Sequence, residues 1–211
     1  MYDISLLQLQ QLYENCRLAS CYAQDHYEII SQSEHAYTLY GGEAYALGVQ
    51  IPSSFVPKAA RKLQKSTRRK CHIAYELNSN YQVVRTVHVV DHSRVDCIYH
   101  HFELDDVRYA YPFRGTGNEL YTDEIAAISF ADGKPAYFAC ASKNLLFVQF
   151  YEYTSPEEMW VSTYRYWPNA KFNQYGLPID RNVPIDDPNS PVSRHCRLEM
   201  PELVDFSYYL E

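Results

Sequence analysis

Histidine and carboxylate side chains are concentrated in one short stretch of the sequence, on two predicted neighbouring strands. The residues are His88, Asp91, His92, His100 and His101. Histidine combined with a carboxylate is the composition used for metal binding and for general acid–base catalysis. A hairpin that turns between residues 91 and 95 brings the two strands side by side. These five residues are therefore the candidates for a catalytic role.

Strand geometry argues against a single site in this stretch. Residues 88 and 92 share one face of a strand but lie about 13 Å apart, which is too far for one metal ion. His100 and His101 are consecutive, so their side chains point to opposite faces of the sheet. Solvated histidines at polar strand ends explain the same residues. We predict no metal and no other cofactor.

A second concentration of charge is the basic segment, residues 58–70, which contains seven lysine and arginine residues and no acid. The net charge of −7 therefore divides into +7 in this segment and −14 in the rest of the chain. A helix over residues 55–69 with such a surface binds phosphate groups, through Lys62, Lys65, Arg68 and Arg69. The acidity of the remaining chain opposes nucleic acid, and a solvated helix or an acidic protein partner also accounts for the segment.

Tyrosine is the most distinctive component of the sequence, with 21 tyrosines among 211 residues. Tyrosine is a good strand former. Its ring also buries a large apolar area while its hydroxyl still needs a partner, which favours sheet faces, cavity walls and protein interfaces. The aromatic residues near the end of the predicted sheet are the candidates for a partner-binding surface: Trp160, Tyr164, Tyr166, Trp167 and Tyr175.

The elements that position these residues fall into three parts of one predicted domain, residues 1–211. Residues 1–70 have a mostly helical and mixed pattern, which begins with a helix capped by Asp3 that extends to about Ile30. Residues 71–167 alternate with period two and contain about eight strands joined by short turns, such as Asp105-Asp106 and Asp132-Gly133. Residues 168–211 contain six prolines and predict an extended strap held by aromatic anchors.

Short turns between consecutive strands permit only antiparallel neighbours, so the strands form a meander. Its faces are unusual, because the strands over residues 145–153 and 159–167 are apolar or aromatic on both sides. A sheet with one solvated face alternates cleanly between apolar and polar residues. We therefore expect an α+β fold in which the N-terminal helices cover a strongly curved, barrel-like antiparallel meander, and we favour this over a two-sheet sandwich.

The cellular compartment follows from the cysteines and from the apolar runs. Six cysteines are scattered along the chain without a C-x-x-C pair, which predicts reduced thiols and no zinc site. No apolar run approaches the length of a transmembrane helix, and Met1 to Leu12 lack the pattern of a secretory signal. These features predict a cytoplasmic protein without membrane contact.

Three functions are compatible with these patterns. The leading hypothesis is a non-enzymatic protein that binds another macromolecule, most simply another protein, through its tyrosine- and tryptophan-rich surface. Its acidity suits an inhibitor or immunity-type protein that blocks a basic partner. The alternatives are an enzyme or small-ligand binder with a cavity lined by the histidine and aspartate cluster, and a nucleic-acid-binding protein that uses the basic segment.

Overall fold

The N-terminal helix begins at a capping box, and its N-cap lies two residues after the predicted one. The computed structural model describes residues 4–41, 73–91, 94–114, 124–155, 158–168 and 196–205. Ser5 caps helix α1 (Leu6–Asp25), since its hydroxyl accepts from the Gln8 N–H and the Gln8 side chain accepts from the Ser5 N–H. The predicted cap, Asp3, lies outside the described residues. The N-cap prediction is therefore wrong, because Ser5 and Gln8 form the reciprocal pair.

The predicted single helix to Ile30 is in fact two helices. Helix α1 ends because His26 leaves the helical region, with φ −113° and ψ 21°. The backbone N–H of His26 and its Nδ1 both donate to the Tyr22 carbonyl oxygen, at 3.0 Å and 2.9 Å. A short second helix, α2 (Tyr27–Ser31), follows. Arg85 holds the end of α2 to the sheet, because it donates to the Ser31 carbonyl at 3.3 Å and forms an ion pair with Glu76.

Ten strands form one antiparallel sheet in which every strand pairs with the next along the chain. They are β1 (Tyr37–Gly41), β2 (Ile73–Leu77), β3 (Val83–Asp91), β4 (Arg94–Leu104), β5 (Val107–Arg114), β6 (Ile125–Ala131), β7 (Lys134–Ala141), β8 (Leu146–Tyr153), β9 (Glu158–Tyr166) and β10 (Cys196–Asp205). The predicted antiparallel meander and the α+β class are confirmed. Strands β2 to β9 correspond to the eight predicted strands.

The sheet is open. Strands β1 and β10 lie at its two edges and no pairing joins them within the described part of the chain, so the predicted barrel-like closure is wrong. Both strands have features that are common in edge strands. Strand β1 is short, with five residues, and the register of β10 shifts between Glu199 and Glu202, around Pro201. The curvature of the sheet stays a prediction.

Part of the predicted C-terminal strap belongs to the sheet. Cys196–Asp205 pairs with β9 as an edge strand, where a proline without a backbone N–H is tolerated. The remaining strap residues, 169–195 and 206–211, lie outside the described residues. That residues 1–211 form a single domain also stays a prediction.

Buried side chains occupy both faces of the central sheet, as the apolar pattern predicted. On one face, α1 packs against β5, β6 and β7, and its residues Leu9, Tyr13 and Cys16 are buried there. Small residues of the sheet, such as Ala127 and Ala139, allow the helix to approach closely. On the other face, a second buried cluster contains Ala110, Ile128, Phe138, Tyr151, Met159 and Val161. The helical layer thus covers only one of the two buried faces within the described residues.

Candidate functional site

The two histidines of the cluster whose side chains the structure describes, His100 and His101, do not share one site. His100 and His101 are neighbours on β4 and point to opposite faces, as predicted. The His100 ring packs edge-on against Tyr27 of α2, with ring centroids 5.9 Å apart. His101 lies on the other face, where its Nε2 hydrogen-bonds the Thr86 hydroxyl at 2.9 Å. No group of three potential metal ligands occurs among the described residues.

Both described histidines of this cluster are core residues. Burial, with a smaller contribution from Arg85, lowers the pKa of His100 to about 4. Burial, together with Arg108 and His100, lowers the pKa of His101 to about 3. Both imidazoles are therefore neutral at pH 7, and their pKa values are far below those of a base tuned to neutral pH. Both side chains are buried, which differs from the solvated strand ends that the sequence suggested.

For His88 and Asp91 the structure describes the backbone. In strand register, His88 lies opposite Cys97 and Asp91 lies opposite Arg94, while the side chains of His88 and Asp91 are outside the description. His92 lies outside the described residues. So do Tyr175 and the nucleic-acid candidates Lys62, Lys65, Arg68 and Arg69, and these assignments stay predictions.

Three of the predicted partner-binding residues lie in the core. Tyr164 packs edge-on against Phe150 and Tyr166 packs edge-on against Tyr13, with ring centroids 6.1 Å and 6.0 Å apart. Trp167 is only 4% exposed. Their burial gives these rings a packing role in the isolated chain. Trp160, in contrast, is 40% exposed and is the described member of the predicted set that presents its ring to solvent.

Trp160 is flanked by two carboxylates. It lies directly opposite Glu152 in the β8–β9 register. Glu158 precedes it by two residues on β9 and therefore points to the same face of the sheet. Both glutamates are exposed. We call these three residues, Glu152, Glu158 and Trp160, the acidic aromatic patch.

The patch begins where the helical layer ends. Phe150 and Ser162 form the next pair along the β8–β9 ladder, and both are buried. Further along the same face, Tyr164 and Tyr166 lie in the cluster that α1 covers. The face thus changes from buried to exposed between two successive residue pairs of the β8–β9 ladder. The exposed Trp160 ring therefore lies directly beside a buried part of the same face.

The sequence reasoning singled out Trp160 but missed its two glutamates. The signal was present, because period-two alternation places residues 158 and 160 on one face. The turn between β8 and β9 is also short, so the hairpin register could have paired Glu152 with Trp160. No sequence pattern indicated how far α1 extends over the sheet, and this decides which aromatic side chains of β9 reach the solvent.

Comparison with protein-family models, with curated proteins and with solved structures finds no match to this chain. In the part of the chain that the structure describes, no helix combines the length and the apolar character needed to cross a membrane.

Proposed function

We propose that this protein is a non-enzymatic binding protein that recognises a basic segment of another protein through the acidic aromatic patch. The observation that carries the proposal is the exposure of Trp160 beside Glu152, its partner on β8, and Glu158, which precedes it on the same face of β9. An indole face attracts lysine and arginine cations, and adjacent carboxylates add ion pairing. A basic side chain that stacks on Trp160 thus has two carboxylates on neighbouring positions of the same face.

The charge of the whole chain supports the same choice of partner. A net charge of −7 attracts a basic protein over distances of a Debye length and raises the rate of encounter. Occupation of a basic surface by such a protein blocks access of other anions to it. An inhibitor or immunity-type role against a basic enzyme is the biological form that we propose, and a cytoplasmic location remains our expectation.

A peptide titration tests the proposal. The probes are a fluorescein-labelled lysine- and arginine-rich peptide and a peptide of the same length in which glutamine replaces the basic residues, both followed by fluorescence anisotropy. We expect saturable binding of the basic peptide alone, which weakens as sodium chloride is added. Trp160→Ala weakens this binding by about tenfold or more, since exposed aromatic anchors carry most of such a contact.

Phe130 provides a matched control. It is also 40% exposed, but the Arg108 guanidinium carbon lies 5.7 Å from its ring centroid, so its ring already has a cation of the protein beside it. Phe130→Ala leaves the affinity for the basic peptide unchanged under the proposal. Equal losses in Trp160→Ala and Phe130→Ala, or equal affinity for the basic and glutamine peptides, would contradict recognition by the acidic aromatic patch.

A further inference from the structure

A second feature, independent of the acidic aromatic patch, is a cavity of about 320 Å³ between α1 and the sheet. Its walls come from α1 on one side and from β5, β6, β7 and the turn after β7 on the other. Small-molecule sites commonly have volumes of roughly 300 to 1,000 Å³. The cavity lies near the start of β8, about 20 Å along the strand from Glu152. The two sites are thus separate.

The helical wall of the cavity is polar. Arg17, Ser20 and Gln24 line it, and their spacing of three and four residues places them on one face of α1. Gln24 is held in position because its Nε2 donates to the Tyr111 hydroxyl at 2.7 Å. Among the described residues, no carboxylate forms an ion pair with Arg17.

The opposite wall brings a second cation to the cavity. Ser142 and Lys143, in the turn between β7 and β8, line this side. Tyr13 of α1 fixes the turn, since its hydroxyl donates to the Lys143 carbonyl oxygen at 2.8 Å. Burial raises the pKa of Tyr13. Arg17 opposes that rise through its charge and a hydrogen bond, and Glu14 adds to the rise, so the guanidinium lies close to the same phenol. The fold thus anchors the turn that carries Lys143 beside Arg17.

We propose that this cavity binds a small organic anion, with a carboxylate or phosphate group held between Arg17 and Lys143. The described lining contains the two cations Arg17 and Lys143 and no carboxylate or imidazole, so it favours an oxyanion. The Ser20 and Ser142 hydroxyls donate to the carbonyl oxygens of Cys16 and Leu145, so the charge of the two cations carries the preference. Ile125 and Ala141 form an apolar part of the wall. A ligand with an apolar or aromatic body therefore fits better than an inorganic ion.

Isothermal titration calorimetry with four probes tests this site: phenyl phosphate, benzoate, inorganic phosphate and uncharged benzyl alcohol. We expect the two aromatic anions to bind more tightly than inorganic phosphate, and benzyl alcohol not to bind. Preference for phenyl phosphate over benzoate assigns a phosphate ester, and the reverse order assigns a carboxylic acid. The absence of saturable binding by both aromatic anions would overturn the proposal, as would equal affinity for benzyl alcohol.

Three variants locate the binding. Arg17→Gln and Lys143→Gln each lower the affinity for the tighter-binding aromatic anion by about tenfold or more, because each removes a charged hydrogen-bond donor. Lys134→Gln is the matched control, since Lys134 lies over the Tyr153 ring, at 4.7 Å from its centroid, and away from the cavity. An equal loss of affinity in all three variants means that the anion is attracted by the overall charge of the protein, which contradicts binding in this cavity. Trp160→Ala leaves the anion affinity unchanged, so this test is separate from that of the proposed function.

Discussion

The hydroxyl of Tyr13, in the middle of α1, donates a hydrogen bond of 2.8 Å to the main-chain carbonyl of Lys143, in the turn between β7 and β8. The two residues are 130 positions apart in sequence. This bond therefore couples the helical layer to the sheet at a point that local structure does not determine. The ring of Tyr13 also packs against Tyr166 of β9, so one side chain joins α1 to two parts of the sheet.

Removal of this hydroxyl tests how much the coupling stabilises the fold. Tyr13→Phe keeps the ring contact with Tyr166 but leaves the Lys143 carbonyl without this donor. We expect the free energy of unfolding in urea to fall by about 1 kcal/mol. Tyr22→Phe is the matched control on the same helix, because the Tyr22 ring stacks on His26 at 4.1 Å and that contact does not involve the hydroxyl. Equal stabilities of the two variants would contradict the role given to the Tyr13 hydroxyl.

The turn between β6 and β7 gives a second prediction. Asp132 and Gly133 both have positive φ, 51° and 75°, as a two-residue hairpin turn of the primed type requires. A Cβ added at Gly133 meets no atom within 4 Å. Gly133→Ala therefore lowers the free energy of unfolding through backbone conformation alone, by about 1 kcal/mol. Asp132→Asn, which keeps a residue type that tolerates positive φ, changes the stability much less. An unchanged free energy of unfolding in Gly133→Ala would contradict this conformation.

The buried histidines predict a dependence of stability on pH. The folded pKa values of about 4 for His100 and about 3 for His101 lie below the ordinary value of 6.5. Between these limits the unfolded chain binds protons that the folded chain excludes. The free energy of unfolding therefore falls as the pH decreases from about 6.5 towards 4, by up to about 1.4 kcal/mol per pH unit for each histidine. Above pH 7 this contribution is constant.

Urea unfolding at several pH values measures this dependence. His100→Gln and His101→Gln, examined one at a time, each reduce the slope between pH 6 and pH 4.5 by the contribution of one proton. The glutamine at position 101 retains a polar group near the Thr86 hydroxyl, which limits the packing cost. If both variants keep the slope of the wild-type protein, the two imidazoles are not buried in their neutral form.

Local turn chemistry explains why the central strands were predictable from sequence. Asp105-Asp106 and Asp132-Gly133 join strands directly, and all four residues adopt positive φ. Because the side-chain period in a strand is two, these turns also set which residues share a face. The apolar character of both faces then correctly predicted two buried surfaces.

Other features depend on contacts that no local pattern encodes. The prolines predicted an extended segment outside the sheet interior, and a shift in register around Pro201 allows β10 to pair with β9 at the edge. Tyr164 and Tyr166 have the composition of an interface and lie in the core because α1 covers that end of β9. His100 and His101 are buried because helix α2 and neighbouring strands enclose them. Sequence reasoning therefore identified the aromatic residues of β9 but not which of them are buried.

The most direct test of the proposed function observes the two tryptophans separately. The chain contains two tryptophans, so its two-dimensional 1H–15N spectrum has two indole N–H signals, which a Trp160→Phe variant assigns. In a titration with the lysine- and arginine-rich peptide, we expect the Trp160 signal to shift saturably while that of buried Trp167 stays in place. Glu152→Gln with Glu158→Gln suppresses the shift. An unchanged Trp160 signal at saturating peptide, or a shift that persists without the two carboxylates, would contradict recognition of a basic partner by the acidic aromatic patch.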